Sequence, residues 1–248
     1  MYMTELIVIT GAAVATSILS AVAGLGGGVI LLMVIAQFVS PTTAIPIQGA
    51  IQLVSNGTRA TILRRDIDRR AALWSSLLVL PGALLGVAVA TSLPDDAIRI
   101  VLAGFVLVLA WRPDLLKARV DPDRSDNGSR NLMIGVGAAS GLVNGTVGAS
   151  GPVTSPLFRA ITATHVAFVA TAAAAQVVGH IAKLIAFSAN GWSVSGHLDV
   201  IALGAVGVIA GSFIGTRLLG RVTAQQLDLV FKVVLTALAI RLIIVALT

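Results

Sequence analysis

Two glycine-rich segments interrupt the apolar sequence at corresponding places in its two halves. The first is Gly-Leu-Gly-Gly-Gly at residues 24–28, and the second is Gly-Thr-Val-Gly-Ala-Ser-Gly at residues 145–151. A further match pairs Pro-Gly-Ala-Leu-Leu-Gly at 81–86 with Ala-Gly-Ser-Phe-Ile-Gly at 210–215. Paired interruptions at equivalent places in two halves are a sequence sign of a transporter's binding site. The chain is therefore predicted to be a duplicated membrane transporter.

The composition places most of the chain in lipid. Hydrophobic residues make up 56% and charged residues 11% of the 248 residues, and the mean hydropathy is +0.96. A soluble domain carries about 25% charged residues. The first residues lack the basic region and cleavage site of a signal peptide, so we expect the first apolar segment to be retained.

The charges and the rare residue types exclude several classes of function. The net charge of +6 comes largely from arginines in short loops, which is the pattern of membrane orientation and not of nucleic-acid binding. Cysteine is absent, which excludes disulfides and thiolate metal sites. The three histidines are scattered without a metal-binding spacing. We expect no metal and no other cofactor.

The apolar segments predict an all-α polytopic membrane protein. A helix needs about 20 residues to cross the hydrocarbon layer, so the segments at 29–39 and 152–161 are too short and are predicted to be broken or re-entrant helices. The fold is thus predicted to contain about 8 full transmembrane helices plus 2 short ones. The ten segments are 5–23, 29–39, 42–63, 71–91 and 96–111 in the first half, and 131–147, 152–161, 164–187, 194–216 and 223–247 in the second.

The halves are predicted to be two repeats of opposite orientation. The first transmembrane repeat covers residues 1–111, a cytoplasmic linker covers 112–130, and the second repeat covers 131–248. Basic residues mark the cytoplasmic side of membrane proteins, and they cluster at 64–70, in the linker and at 217–221. Five crossings in each half give an inverted repeat. If the short segments return to their own side, each half has four crossings and the repeat is parallel.

The glycine segments are candidates for binding an anion through backbone amides. Helix N-termini carry partial positive charge and exposed N–H donors, and each glycine segment precedes a short helix. The alternative is that glycine only permits close helix crossing, as the small-xxx-small patterns at 82–86 and 207–215 do. The candidate contacts are Gly26, Gly27 and Gly28 in the first half, and Ser150 and Gly151 in the second.

A polar stripe on the segment 164–187 supplies side-chain candidates. Gln176, His180 and Lys183 share one helical face, and ionisable groups inside a membrane segment are functional candidates by default. Lys183 has the alternative of extending to the membrane interface, and His180 that of bonding between helices. The unperturbed pKa of histidine lies near neutrality, so His180 is the candidate for proton linkage.

The equivalent segment 42–63 carries a neutral stripe. Gln52 and Asn56 belong to it, as do Gln48 and Ser55, and Asn144 precedes the second glycine segment. Their alternative role is hydrogen bonding between helices. Carboxylates are nearly absent from the middle of the apolar segments. A site of amides, neutral side chains, one histidine and one lysine suits a small anion and not a metal cation.

The tetrapeptide at residues 148–151, Gly-Ala-Ser-Gly, also fits the GxSG motif of rhomboid intramembrane proteases. Ser150 would be the nucleophile and His180 its partner. The oxyanion-side HxxxN element of such proteases has no counterpart, because every histidine follows Ser150. Proteolysis is the less favoured alternative, and the chain is not expected to be an enzyme.

The chain resembles the sulfite exporter TauE/SafE family of membrane permeases. The resemblance rests on Ser-Ala-Val-Ala-Gly-Leu-Gly-Gly-Gly at 20–28, its weaker echo at 140–151 and the duplicated layout of segments. The family glycines fall on Gly24, Gly26, Gly27 and Gly28, and in part on Gly148 and Gly151. The second segment departs from the family pattern, with Gly-Ala-Ser-Gly in place of three glycines and a following proline (Pro156) that the first half lacks.

This resemblance implies transport of sulfite, sulfoacetate or thiosulfate across the inner membrane of a prokaryote. An anion channel is the alternative within the transport class. The expected partners are the small anion, the lipid bilayer, protons or another coupling ion, and further copies of the chain. The predicted substrate-binding residues are Gly26, Gly27, Gly28, Gln52, Asn56, Asn144, Ser150, Gly151, Gln176, His180 and Lys183.

Overall fold

In the computed structural model the described residues are 3–23, 26–112, 126–218 and 224–248, and their secondary structure is entirely helical. A 3-10 turn spans Val194–His197, just before the helix that begins at Leu198. The helices are α1 Met3–Ala23, α2 Gly27–Ile35, α3 Pro41–Ile62, α4 Arg69–Ser76, α5 Val79–Ser92, α6 Asp95–Trp111, α7 Asp126–Val147, α8 Gly151–Ile161, α9 His165–Ala189, α10 Leu198–Leu218 and α11 Ala224–Leu247. Gly24 and most of the predicted linker, residues 113–125, lie outside the described residues.

The segment predicted at 71–91 is two helices and not one. α4 and α5 meet at a bend of 43°. Pro81 lies in the first turn of α5, where its ring excludes the carbonyl four residues earlier and it offers no N–H. The predicted single helix is therefore wrong at this point. α7 begins at Asp126, within the predicted linker 112–130.

Three helical segments of the described residues are long and apolar enough to cross a membrane. They are α1, α9 and the continuous segment Val194–Leu218, and the bent pair of α4 and α5 makes a fourth. The predicted number of about 8 full spans is thus not confirmed. α3 has 22 residues but carries a buried row of polar side chains, which lowers its mean hydropathy.

The main helix contacts join the first half of the chain to the second half. α1, the first helix of its half, packs on α10, and α7, the first of the second half, packs on α5. The third helices, α3 and α9, contact each other, as do the last helices, α6 and α11. The predicted small-xxx-small faces lie in these contacts: Cβ atoms at Gly82 and Gly86 would meet the α7 backbone, and one at Gly211 would meet α1.

α3 and α9 run antiparallel. Lys183, late in α9, bonds to Gln48, early in α3, at 2.8 Å. Thr171, early in α9, accepts a hydrogen bond from the Asp68 amide just beyond the end of α3, at 2.9 Å. This places the polar stripes of the two helices against each other at the centre of the fold.

Candidate functional site

Both short helices begin at a sharp glycine break. Gly26, before α2, has φ of 94°, and Gly148, before α8, has φ of 74°. Only glycine adopts these left-handed conformations without strain. A Cβ at Gly26 would also meet the ring of Phe231, and one at Gly148 would lie 2.8 Å from the Leu32 side chain. The breaks therefore require glycine both for conformation and for space.

One cavity touches both breaks. Its volume is about 20 Å³, which is room for about one water molecule. Both halves of the chain therefore contribute residues to a single cavity. Its lining comprises Ser20, Gly26, Gly28, Val29, Gln48, Gln52, Arg59, Gly148, Ala149, Ser150, Gly151, Pro152, Gln176 and His180.

Some first-turn amides of the short helices are available to a ligand and some are not. The Val29 amide donates to the Gly26 carbonyl at 3.0 Å, and the Val153 amide donates to the Ser150 carbonyl at 3.0 Å. Gly28 and Gly151 precede these donors, where helix geometry provides no intrahelical acceptor. Within the predicted amide cradle, the Gly28 and Gly151 amides are therefore the candidates to bind a ligand.

The glycines of the first break have different surroundings. A Cβ on Gly28 would lie 3.2 Å from Nε2 of Gln52, within the cavity lining. A Cβ on Gly27 would instead overlap the Thr16 carbonyl of α1. Gly27, a predicted binding residue, is not in the lining. It instead allows α1 and α2 to cross closely, which was the alternative role.

The stripe on α9 is buried against the cavity. Gln176 and His180 line it, and His180 is 3% exposed with no hydrogen-bond partner at either ring nitrogen in the described structure. Lys183 is 0% exposed and donates to Oε1 of Gln48 at 2.8 Å and to the Gly148 carbonyl at 3.3 Å. Its predicted alternative, extension to the interface, is wrong.

The stripe on α3 faces the same cavity. Gln52 lines it and its Nε2 has no partner in the described residues. Asn56 is not in the lining: its Oδ1 accepts from Arg59 at 3.0 Å. Asn144 is not in the lining either, and it donates to the Gly179 carbonyl at 2.9 Å, which joins α7 to α9. Asn144 thus has the alternative role, a hydrogen bond between helices.

Arg59 is a lining residue that the sequence did not predict. It is 2% exposed and donates to Asn56 Oδ1 at 3.0 Å and to Ser55 Oγ at 3.2 Å. Its Nε has no acceptor within the described residues. Ser55 in turn bonds to Ser17 at 3.0 Å, which fixes this corner of the site to α1.

A repeated pattern in the sequence would have identified Arg59. The residue numbers of equivalent α3 and α9 positions differ by 124. The equivalent pairs are Gln52 with Gln176, Asn56 with His180, and Arg59 with Lys183. Both α3 and α9 thus carry a glutamine, then a polar residue, then a cation on one helical face.

The unpaired polar atoms of the lining are mainly donors. Gln52 Nε2 and Arg59 Nε are N–H groups, and an imidazole supplies at least one more from His180. Buried polar atoms normally find partners, so this set calls for a ligand with several acceptors. Among the described residues, no carboxylate pairs with Arg59 or Lys183, whereas Arg99 pairs with Asp96. The described residues also contain no cluster of side chains suited to a metal ion.

The protease alternative requires a hydrogen bond between nucleophile and base. Ser150 lines the cavity near His180, but neither ring nitrogen of His180 has a partner among the described residues. The Ser150–His180 pair is therefore not formed, and nothing in the site supports this alternative.

An apolar helical chain whose two broken helices surround one donor-rich internal cavity has the architecture of a membrane transporter. The family model described as sulfite exporter TauE/SafE matches residues 9–242, nearly the whole chain. The protein belongs to this family, and the resemblance carried by its glycine segments is confirmed. No curated protein and no solved structure matches the chain.

Proposed function

We propose that this protein transports a small sulfur oxyanion or organosulfonate, such as sulfite, sulfoacetate or thiosulfate. Membership of the family supports the class of substrate. The observation that carries the proposal is the buried set of unpaired donors around Arg59, Gln52 and His180, next to both helix breaks. Such a set binds an oxyanion through charge-assisted hydrogen bonds and helix N-termini.

The mechanism we propose is alternating access between inverted repeats. The exchanged packing of α1 on α10 and of α7 on α5 supports a two-fold relation between the halves. The antiparallel course of α3 and α9 supports repeats of opposite orientation. Movement of one bundle against the other around a fixed central site is the usual mechanism of transporters built in this way.

The size of the cavity favours a carrier over a channel. About 20 Å³ accommodates about one water molecule, whereas sulfite has four non-hydrogen atoms. In the proposed mechanism, the helices around the cavity separate to admit the anion. An open channel needs a continuous pore that holds ions throughout.

The proposed location is the inner membrane of a prokaryotic cell, with the loop that contains Arg64 and Arg65 in the cytoplasm. Protons or another coupling ion are the proposed co-substrate. Assembly into a homo-oligomer is a further proposal, since α11 and α5 expose large apolar side chains that suit lipid or a second copy.

Uptake of labelled sulfite into proteoliposomes tests the function. We expect saturable uptake that unlabelled sulfoacetate and thiosulfate inhibit and that monocarboxylates do not. A ligand-dependent rise in melting temperature with the same anions provides the binding measurement. Absence of both uptake and thermal shift for all three anions contradicts the proposal, and ohmic, non-saturating currents favour the channel.

A further inference from the structure

Two buried cations, Arg59 of α3 and Lys183 of α9, bond to α3 at different positions. The Lys183 ammonium bonds to Gln48, and the Arg59 guanidinium bonds back to Ser55. Gln48 and Ser55 are seven residues apart, which is about 10 Å along a helix and nearly the same face. The hydrogen-bonding partners of the two cations are therefore about two helical turns apart on α3.

The surroundings of these equivalent cations differ. Arg59 lines the cavity and retains an unpaired Nε. Lys183 lies behind the lining, where Gln48 Oε1 and the Gly148 carbonyl accept its protons. Arg59 and Lys183 occupy matching positions in α3 and α9, but only Arg59 faces the cavity.

We propose that Arg59 and Lys183 are two anion-binding stations, one for each direction of access to the central cavity. This inference rests on the proposed transport function and extends it. Arg59 is the station on the side where α3 ends, and the structure is the state in which that station faces the cavity. In the opposite state the repeats exchange roles: Lys183 leaves Gln48 and faces the cavity, and Arg59 is withdrawn.

The exchange follows from the pseudo-symmetry of the contacts. Because α3 and α9 are antiparallel, the cation of α9 lies beside the start of α3, and the end of α3 lies beside the start of α9. A rearrangement that opens one end of this helix pair closes the other. Each cation is thus placed to receive the anion at its own end, and the neutral donors of Gln52 and Gln176 lie between them.

Arg59→Gln and Lys183→Gln form a matched pair of variants for the test. Labelled sulfite flux is measured with sidedness in proteoliposomes of one orientation. We expect Arg59→Gln to raise the KM by about tenfold or more at the face where α3 ends, as loss of a charged hydrogen bond predicts, and to change the KM at the opposite face by less than about twofold. Lys183→Gln is expected to show the reverse. Equal changes at both faces for both variants overturn the inference.

A charge-conserving variant and a labelling experiment make the test independent of folding defects. Arg59→Lys is expected to retain most of the one-sided affinity. The chain has no cysteine, so a single Ser20→Cys reports access to the cavity by an impermeant thiol reagent. We expect labelling from the face where α3 ends, with protection by sulfoacetate in the protein with Arg59 and not in Arg59→Gln.

Labelling of Ser20→Cys from the other face alone, or protection that does not depend on Arg59, overturns the inference even where Lys183→Gln does not fold. Failure of the proposed function is distinguishable, because the unmodified protein then transports no sulfite at all. Normal transport with symmetric effects of the variants contradicts only the two stations.

Discussion

The Nζ atom of Lys183 lies 2.8 Å from Oε1 of Gln48, and this hydrogen bond joins α9 to α3. Gly49 leaves the space for this contact, because a Cβ there would lie 2.5 Å from Cε of Lys183. The absence of a methyl group on α3 thus allows the buried Lys183 of α9 to pack against α3 and bond to Gln48.

Gly49→Ala is expected to reduce sulfite transport more than it reduces stability. The added methyl group displaces the flexible end of Lys183 from Gln48, so the cost to packing is at most about 1–3 kcal/mol. Gly57→Ala, also on α3, is the control, since nothing lies within 4 Å of its Cβ position. Flux and thermal unfolding are measured on both proteins. Equal flux in the two variants contradicts the role given to the Gly49 contact.

Lys183→Met is expected to raise the KM for sulfite by about tenfold at the face where α3 begins, while leaving the melting temperature unchanged or higher. A buried cation without a carboxylate partner carries a large desolvation cost, and an apolar side chain of similar length removes it. The loss of two hydrogen bonds, to Gln48 and Gly148, offsets part of the gain. Thermal unfolding in detergent gives the measurement, and a large drop in melting temperature shows that Lys183 is structural.

Gly28→Ala is expected to raise the KM for sulfite by about tenfold. Its Cβ would lie 3.2 Å from Gln52 and 3.3 Å from Gln48, in the space where the anion meets the first-turn amide of α2. Loss of one charged hydrogen bond costs about 1.5–3 kcal/mol. Gly11→Ala on α1, whose Cβ position is open, is the control for helix stiffening. An unchanged KM in Gly28→Ala removes the amide cradle from the site.

Many helix boundaries were predictable because glycine, proline and polar residues separate the apolar segments of this chain. Prediction and structure agree that α8 ends at Ile161 and α6 at Trp111, since threonine follows the first and arginine and proline follow the second. The break between α4 and α5 was missed although Pro81 marks it, because the apolar character continues across it. Hydropathy detects burial in lipid and does not detect bends.

The cavity residues were predictable only where a polar side chain lies near the middle of an apolar segment. Gln52, Gln176 and His180 satisfy this condition and line the cavity. Arg59 lies four residues before Leu63, next to the basic loop, so sequence position alone assigns it to the membrane interface. In the fold its guanidinium instead turns back along α3 to bond with Asn56 and Ser55, and the side chain is buried.

Gly27→Leu is expected to impair folding and not binding alone. The Cβ of any larger residue at 27 overlaps the Thr16 carbonyl and the Ser20 hydroxyl of α1. Backbone atoms cannot move aside as a flexible side chain does, so the strain reaches about 1–3 kcal/mol or more. Gly104→Leu on α6, with an open Cβ position, is the control. Folded yield and melting temperature are the measurements, and a stable Gly27→Leu protein contradicts the close crossing of α1 and α2.

His180 has two candidate roles, as a hydrogen-bond donor to the anion and as the group that carries a coupled proton. In the described structure neither ring nitrogen has an acceptor, whereas an imidazolium needs acceptors for two N–H groups. We therefore expect the ring to act as a neutral donor to the anion. His180→Gln should keep most of the flux, because its amide also donates, and His180→Leu should lose about tenfold or more in affinity.

The pH profile of flux distinguishes the two roles of His180. Histidine is the side chain whose unperturbed charge change falls between about pH 5 and 8. If His180 is only a donor, the profile of His180→Gln follows that of the unmodified protein across this range. A profile that becomes flat in His180→Gln, with binding retained, instead assigns the coupling proton to this ring.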